Sequence, residues 1–341
     1  MNKGARAIVA AAVVACAAIS PAAADNIAEF YKGKTVTIIV GYPPASGYTL
    51  YGQMLAKYLP DHMPGRPSVI VQSMPGAGSI KAANYVYTVA PKDGTTLGIF
   101  SIGALIDQLF GMSATSFDST KFGWIGNMDE SVGVCVVKSA TGVRKFEDLL
   151  QKETLFGGTG PSGGATQAAI VLTRLYGAKI KLIKGYPGAQ DVVLAMDRGE
   201  VEGVCGITIA VLKSRLSQQI ASRQLIPIVH DATKPHPALP GVPSVYDFAK
   251  SDDDRRVLDL LFGWRAVGRP IAAPPGIPAD RLAALRKAFN AAVGDQRFIA
   301  DAAKAQLDIA PASGEEVAGL VARLFSHSKD TIKRAADAVR N

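Results

Sequence analysis

The stretch Gly41-Tyr42-Pro43-Pro44-Ala45-Ser46-Gly47-Tyr48 decides the fold, because it joins an apolar run to a helix-like segment. The run is Val36 to Val40, and apolar residues recur at helical spacing over Tyr48–Leu59. A second loop, Met74-Pro75-Gly76-Ala77-Gly78-Ser79, has the same setting between Val69-Ile70-Val71 and a helix predicted over Ser79–Val89. Strand, loop and helix thus follow one another twice, which predicts parallel strands joined by crossover helices.

The same order returns further along the chain. A third glycine-rich loop, Gly157 to Gly164, separates a strand predicted at Thr154–Phe156 from a helix at Ala165–Tyr176. Strands are predicted at Ile180–Ile183 and Val201–Ile207, so a second α/β unit follows the first. The apolar run Leu260–Val267 is interpreted as one more strand, and the chain from Pro278 onward as helical.

The N-terminus is typical of a secretory signal peptide. Lys3 and Arg6 precede the apolar stretch Ile8 to Ala18, which is too short to span a bilayer, and Ala22-Ala23-Ala24 supplies small residues for cleavage before Asp25. Two alternatives stay open: an uncleaved anchor, and lipidation of Cys16, since Val13-Val14-Ala15-Cys16 resembles a lipobox. We expect a secreted chain whose mature part, residues 25–341, is soluble.

The charge balance is moderately basic. The full chain carries a net charge of +8, and removing residues 1–24 takes away two basic residues and no acid, which leaves +6. The densest basic positions, such as Lys179, Lys181 and Lys184, have no interleaved aromatic residues. We therefore expect a solvated surface that favours anionic solutes, and no nucleic-acid partner.

Two cysteines remain after the predicted cleavage, Cys135 and Cys205, and both lie in apolar, strand-like runs. An oxidising compartment permits a disulfide, and two buried thiols are the alternative, because spacing alone does not establish connectivity. The chain has no CxxC motif and its four histidines are scattered. No metal site and no cofactor are therefore expected.

The third loop contains Gly158-Thr159-Gly160-Pro161-Ser162-Gly163, which matches the GxGxxG pattern of dinucleotide-binding proteins. That pattern also needs an acid at the end of the next strand, and here Ile180–Ile183 is flanked by lysines. The loop lacks a Walker lysine as well. What remains is a helix N-terminus with the hydroxyls of Thr159 and Ser162, an arrangement that suits a carboxylate, or alternatively a tight turn without a ligand.

Three further patterns have both a chemical and a structural interpretation. Gly160-Pro161-Ser162-Gly163-Gly164 has the G-x-S-x-G spacing of a hydrolase nucleophile, but no histidine has a supporting context. Glu200 and Glu202 could form an acid–base pair, although solvated charges at a helix–strand turn are the favoured interpretation. Arg265, next to Trp264, could bind a carboxylate with two nitrogens or pair with a surface acid.

In this order the motifs resemble the periplasmic receptors of tripartite tricarboxylate transporters, also called TctC or Bug-type receptors. The resemblance covers nearly all of the mature chain and depends on order and spacing. It rests on the stretches Phe30–Lys34, Gly41–Tyr48, Met74–Ser79, Ala90–Thr96, Gly185–Gly188, Gly199–Glu202, Leu239–Pro243 and Ala273–Pro278.

The resemblance implies a non-enzymatic α/β protein with the two-lobed, Venus-flytrap fold of type II periplasmic binding proteins, each lobe having a central, mostly parallel sheet flanked by helices. It implies lobe 1 from residues 25–125 plus 255–341, and lobe 2 from 126–254. Ligand contacts are carried over residue by residue onto Pro44, Ala45, Ser46, Tyr48, Gly76, Ala77, Gly78 and Ser101 in lobe 1, and onto Thr159, Ser162, Gly163, Ala165, Tyr186, Pro187, Gly206 and Ile207 in lobe 2.

The implied function is capture of a small organic acid by a monomeric receptor that delivers it to membrane permease subunits. Sensing for a membrane kinase, uptake through another transporter type, and a secreted hydrolase using Ser162 remain as alternatives. One departure from the family is visible. Where relatives have P-G-G-G-x-D, this chain has Pro44-Ala45-Ser46-Gly47-Tyr48-Thr49, so the identity of the acid is not carried over.

Overall fold

Two β-sheets organise the chain in a computed structural model, which describes residues 21–44, 46–111, 115–159, 164–186 and 188–339. The predicted leader therefore lies mostly outside the described residues, as does Cys16. The strands of the described chain are β1 (Thr35–Val40), β2 (Ser68–Ser73), β3 (Thr96–Ile99), β4 (Gly123–Asn127), β5 (Gly133–Lys138), β6 (Thr154–Gly157), β7 (Ile180–Ile183), β8 (Gly203–Thr208), β9 (Leu225–His230), β10 (Pro270–Ala273) and β11 (Ala312–Ser313).

Helices cover the faces and edges of these sheets. Within the described ranges none of them has the length and apolar character needed to cross a membrane. They are α1 (Pro21–Tyr31), α2 (Gly47–His62), α3 (Ile80–Thr88), α4 (Ile102–Leu109), α5 (Gly164–Tyr176), α6 (Ala189–Asp197), α7 (Ile209–Arg215), α8 (Ser217–Ala221), α9 (Asp252–Phe262), α10 (Ala279–Val293), α11 (Gln296–Lys304), α12 (Gly314–Phe325) and α13 (Lys329–Val339).

The first sheet has the strand order β11-β4-β10-β3-β1-β2, and the second has the order β7-β6-β8-β5-β9. The predicted βαβ units are present: β1 is parallel to β2 and β3, and β6 is parallel to β7 and β8. The expectation of mostly parallel sheets is confirmed by strand direction, since β4, β3, β1 and β2 run the same way in the first sheet, and β7, β6, β8 and β9 do so in the second. Strands β10, β11 and β5 run the opposite way and pair antiparallel with all their neighbours. Strands β5 and β10 enter their sheets from the opposite lobe, so no crossover helix imposes a parallel direction on them.

The prediction of a strand at Leu260–Val267 is wrong. Helix α9 runs to Phe262, and Trp264 and Arg265 lie in a 3-10 turn. A short apolar run does not distinguish a buried strand from a buried helix face by periodicity alone. The start of α9 nevertheless has the usual sequence signals, since Ser251 caps the helix and three aspartates occupy its first turn.

Two chain segments cross between the sheets and are hydrogen-bonded to each other. One follows β4 and the other precedes β10. The backbone N–H of Gly268 donates to the carbonyl of Asp129 at 2.7 Å, and that of Ser131 donates to the carbonyl of Arg265, also at 2.7 Å. A Cβ on Gly268 would lie 3.0 Å from the Asp129 oxygen, so the close approach favours glycine. Paired crossing segments of this kind are where two lobes can rotate.

Candidate functional site

A cavity of about 330 Å³ lies between the two sheets and is lined by both of them. The first sheet's loops contribute Tyr42, Gly78 and Ser101. The second sheet contributes Gly164 at the start of α5, and Arg265 comes from the 3-10 turn before the crossing segment. No aspartate or glutamate is found among the described lining residues. An anion entering this space would therefore meet no acidic side chain of the described lining.

The first loop is ordered by its own side chains. Ser46 caps α2 by accepting a hydrogen bond from the backbone N–H of Thr49, so Thr49 occupies the place of the family's acid without breaking the helix start. Tyr48 stacks on Tyr42 with ring centroids 4.1 Å apart, and the Arg269 guanidinium lies 4.2 Å from the Tyr48 ring centroid. Pro44 is exposed, and Ala45 lies outside the described residues.

The second loop turns sharply towards the same cavity. Gly76, Ala77, Gly78 and Ser79 all have positive φ angles, a run that L-residues other than glycine rarely adopt. The turn places Ser79 directly against Gly41, where a Cβ would lie 2.3 Å from the Ser79 Cβ. The first and second loops are thus packed against each other by a glycine contact.

Ser101 joins the second loop to helix α4. Its backbone N–H donates to the Ser79 hydroxyl at 2.9 Å, and its own hydroxyl accepts from the N–H of Gly103 at 3.1 Å. Ser101 therefore caps α4 at the cavity wall. Burial raises the pKa of the neighbouring Tyr42 hydroxyl to about 12, so Tyr42 is a neutral hydrogen-bond donor at physiological pH.

Helix α5 begins at the cavity from the opposite side. Gly206, which has a φ of 66°, supports its first residue: a Cβ on Gly206 would lie 2.7 Å from the carbonyl oxygen of Gly164. The Thr166 hydroxyl donates to the carbonyl of Thr159 at 2.9 Å and ties the helix to the loop before it. Ser162 and Gly163 lie outside the described residues. Gly164 lines the cavity, so the N-terminal end of α5, with its partial positive charge, lies at the cavity wall.

Arg265 is the one charged residue among the described residues that line this cavity. Its Nε lies 3.2 Å from Oδ2 of Asp231, and both side chains are buried, at 8% and 5% exposure. The angle at Nε does not make a hydrogen bond, so this buried nitrogen has no hydrogen-bond partner among the described residues. Nη2 of Arg265 lies 3.6 Å from where a Cβ of Gly164 would stand, which places the guanidinium beside the N-terminus of α5.

Asp231 is held in place by the backbone. Its Oδ1 accepts from the N–H of Gly133 at 2.6 Å, at the point where the chain enters β5. Burial raises the pKa of Asp231 to about 6, although Arg265 opposes the shift. The Arg265–Asp231 pair thus connects the two crossing segments to the cavity.

The other predicted contacts lie elsewhere in the second lobe. Thr159, Ala165 and Ile207 are buried, and none of them is a described lining residue of the cavity. The Tyr186 hydroxyl donates to Glu200 at 3.3 Å, and Pro187 lies outside the described residues. Gly206 acts through its packing on Gly164. Of the predicted residues that the structure describes, Gly78 and Ser101 line the cavity, and the others do not.

The two glutamates do not form a catalytic pair in the structure. Glu200 is exposed and pairs with Arg198 at 2.6 Å, whereas Glu202 accepts from the backbone N–H of Leu155 at 2.8 Å. Among the described residues, no group of three His, Cys, Asp or Glu side chains is placed to hold a metal ion. Cys135 and Cys205 are joined in a disulfide between β5 and β8.

A second cavity, of about 410 Å³, lies beside the crossing segments, and two ion pairs lie in its lining. Lys213 of α7 contacts Asp308 at 3.1 Å, and the His236 ring contacts Glu130 at 2.8 Å. Asp129 is buried in its wall. Because Asp129, Glu130 and Asp308 all line this space, it suits a carboxylate less well than the first cavity, whose described lining contains no acid.

Asp129 should make folding stability depend on pH. Burial raises its pKa to about 7, while Arg269 and Tyr51 lower it and Asp308 and Glu130 raise it. An unfolded aspartate has a pKa of about 3.9, so between about pH 4 and 7 the folded state binds more protons than the unfolded state. Stability contributed by the protonated form is therefore lost as the pH rises through that window. We expect the Asp129→Asn variant to lose this part of the dependence.

The measurement is urea unfolding of both proteins at pH 5, 6 and 8. Relative to Asp129→Asn, the unmodified chain should become less stable with each step upward. Other shifted groups, such as Asp231, are common to both proteins and cancel in the difference. If the free energy of unfolding changed with pH in the same way for both proteins, Asp129 would be charged in the folded state at all three pH values.

Sequence reasoning missed several of these residues. Asp129 and Arg269 were not selected, and only the polar interruption of an apolar run near residue 129 could have drawn attention to them. Arg265 was noticed, but its partner is the buried Asp231 instead of a surface acid. Helix α4, which supplies Ser101, Gly103 and Ile106 to the cavity, was not predicted.

Comparisons with known proteins were made on sequence and on structure. No protein-family model and no curated protein matches the chain. A TctC solute-binding protein from Polaromonas, solved without ligand, superposes with a TM-score of 0.71 at 18% identity, covering 91% of this chain and 99% of that one. MatC from Rhodopseudomonas palustris with bound malate gives a TM-score of 0.58 at 17% identity, with coverage of 90% and 99%.

A further R. palustris protein, solved with adipate, gives a TM-score of 0.58 at 16% identity, covering 89% of this chain and 97% of that one. At such identities the similarity shows the fold. This chain has the two-lobed α/β fold of TctC-type solute-binding proteins over nearly its whole length. The resemblance found in the sequence is confirmed at that level.

Proposed function

We propose that this protein is a periplasmic receptor that binds a small carboxylate between its two lobes and delivers it to a membrane transporter of the tripartite tricarboxylate type. One observation carries the proposal: the N-termini of α4 and α5 and the buried guanidinium of Arg265 meet at one cavity whose described lining contains no acid. Helix N-termini favour anions, and an arginine fork matches the geometry of a carboxylate.

The mechanism is closure of the lobes on the ligand. Ser101 and Gly78 belong to loops of the first sheet, whereas α5 belongs to the second, so a carboxylate that contacts both sides binds the closed state more tightly than the open one. That difference in affinity shifts the population towards closure. We propose lobe 1 as residues 25–125 plus 255–341 and lobe 2 as residues 126–254, joined by the two crossing segments.

We also propose loop residues outside the described ranges as part of the site. They are Ala45, Ser162, Gly163 and Pro187, and the described loop residues Ser46, Tyr48, Gly76 and Ala77 are proposed with them. We propose that these residues contribute backbone N–H groups and hydroxyls to the ligand. In this scheme the protein is a monomer that performs no chemistry on its cargo, and residues 1–24 direct it to the periplasm.

The experiment is isothermal titration of the chain from Asp25 onward with a panel of carboxylates, each matched with its amide. We expect at least one acid to bind and its uncharged amide to bind far more weakly. Thermal unfolding should shift upward with the concentration of the same acid, since a ligand that binds only the folded state stabilises it by mass action. A panel in which no acid binds, or in which acids and amides bind alike, would contradict the proposal.

A further inference from the structure

The cavity next to Arg265 has a polar end and an apolar end. Along α4 and its C-cap the lining residues are Gly103, Ile106 and Phe110, and along α5 they are Gly164, Gln167 and Val171. Each set follows the spacing i, i+3, i+7, which marks one face of a helix. Both helices therefore begin at the polar end and present apolar side chains to the cavity about two turns later, roughly 10 Å along the axis.

Two other helices contribute further apolar side chains to the cavity. Leu260 and Leu261 of α9 and Val339 of α13 line the cavity together with Ile106, Phe110 and Val171. None of these six side chains carries a hydrogen-bonding group. An ionised carboxylate placed there would lose its hydration without gaining a partner, which is among the most costly changes a binding site can impose.

The polar end offers positive potential for one anion. Arg265 supplies a guanidinium whose charge is partly balanced by Asp231, and the two helix N-termini add partial positive charge. Ser101 and Tyr42 add hydroxyl groups at the same end. One carboxylate group is therefore accommodated, and a second at the far end is not.

The volume is sufficient for an acid with a substantial apolar part. An apolar cavity of about 150 Å³ is enough to hold benzene. The cavity of about 330 Å³ described here leaves room for a carboxylate beside a ring or a short alkyl chain.

We infer that the ligand is a monocarboxylate with an apolar tail, such as a medium-chain or aromatic acid. The inference rests on the proposed carboxylate-receptor function and specifies its substrate class. The inferred ligand differs from those of two structural neighbours, which were solved with the dicarboxylates malate and adipate. The departure of the first loop from the family pattern agrees with a different ligand.

The test is a calorimetric series of acetate, butanoate and hexanoate, with adipate as the six-carbon dicarboxylate. Each methylene buried at the apolar end should raise affinity about fourfold, so hexanoate should bind about fifteenfold more tightly than butanoate. Adipate should bind at least about tenfold more weakly than hexanoate, because its second carboxylate is desolvated. A flat series, or adipate binding more tightly than hexanoate, overturns the inference and leaves the proposed function standing. Failure of every acid overturns both.

A pair of matched variants tests where the apolar tail of the ligand lies. Phe110 and Phe325 are both half-buried phenylalanines, but only Phe110 is a described lining residue of the cavity. Phe110→Ala should weaken hexanoate binding severalfold and leave acetate binding unchanged, because acetate does not reach the apolar end. Phe325→Ala should leave both unchanged. If Phe110→Ala affects acetate and hexanoate equally, or affects neither, the tail does not lie at this end of the cavity.

Discussion

Replacing Arg265 by glutamine is expected to weaken carboxylate binding by about thirtyfold or more. A hydrogen bond to a charged group contributes about 2 kcal/mol when its partner is removed, and that energy corresponds to the stated factor. The guanidinium is buried beside the start of α5, where it lines the cavity with Ser101 and Gly78. Titration calorimetry with hexanoate measures the loss directly.

The same substitution should also destabilise the fold, since it leaves the Asp231 carboxylate buried without its cation. Breaking a buried ion pair in this way costs about 3 kcal/mol or more. The pKa of Asp231, already raised to about 6 by burial, should rise further. The pKa of Asp231 in the folded variant then exceeds the unfolded value of about 3.9 by more than it does in the unmodified protein. The variant should therefore lose stability as the pH rises above 4 and recover it on acidification.

A double variant separates binding from stability. Arg265→Gln with Asp231→Asn removes both charges, and the amide oxygen of asparagine can still accept from the N–H of Gly133. We expect the double variant to regain most of the stability and none of the affinity. If it binds hexanoate as the unmodified protein does, Arg265 only supports the fold, and the ligand lies elsewhere.

The second large effect concerns the disulfide between Cys135 and Cys205. The two cysteines are 70 residues apart, and closing a loop of that length restricts the unfolded chain. In the chain-entropy treatment this contributes roughly 4 kcal/mol to stability. Cys135→Ala with Cys205→Ala should therefore lower the free energy of unfolding by about that amount, as measured by urea denaturation.

Reductant provides the matched control. Beyond residue 24 these are the two cysteines of the sequence, so alkylation followed by mass measurement counts free thiols without ambiguity. The unmodified protein should label only after reduction and should then unfold at a lower urea concentration, whereas the double alanine variant should not respond to reductant. Labelling without reductant, with an unchanged midpoint, would show that the thiols are free.

The disulfide also matters for the cavity. Cys205 directly precedes Gly206, whose missing side chain lets β8 approach the first residue of α5. The pairing of Cys135 with Cys205 fixes β8 against β5, next to the strand entry where Gly133 binds Asp231. Loss of the disulfide should thus lower affinity modestly as well as stability.

Much of the fold was determined locally, and the sequence therefore predicted it. The strand–loop–helix order around Gly41–Tyr48 and Met74–Ser79 places β1, α2, β2 and α3 close to where the structure has them. Hydrophobic periodicity, helix caps and glycine-rich turns act over a few residues, so they can be recognised without knowing the partners. The same is true of strand β6 and helix α5.

The direction of the crossing strands and the end of α9 were not determined locally. Strands β5 and β10 are antiparallel to their neighbours because the chain enters each sheet from the other lobe. The apolar run after Leu260 continues a helix because α13 packs against α9. Such outcomes depend on contacts between residues far apart in the chain.

By itself the sequence determined an α/β chain with glycine-rich loops before helices, and it pointed to an anion held by backbone groups. Only the tertiary structure decided where that anion can be held and what else must fit beside it. Arg265 and Asp231 are 34 positions apart, and Phe110 and Val171 lie on helices from different halves of the chain. Whether a buried charge is compensated, or an apolar face is left open to a ligand, depends on which distant segments fold against it.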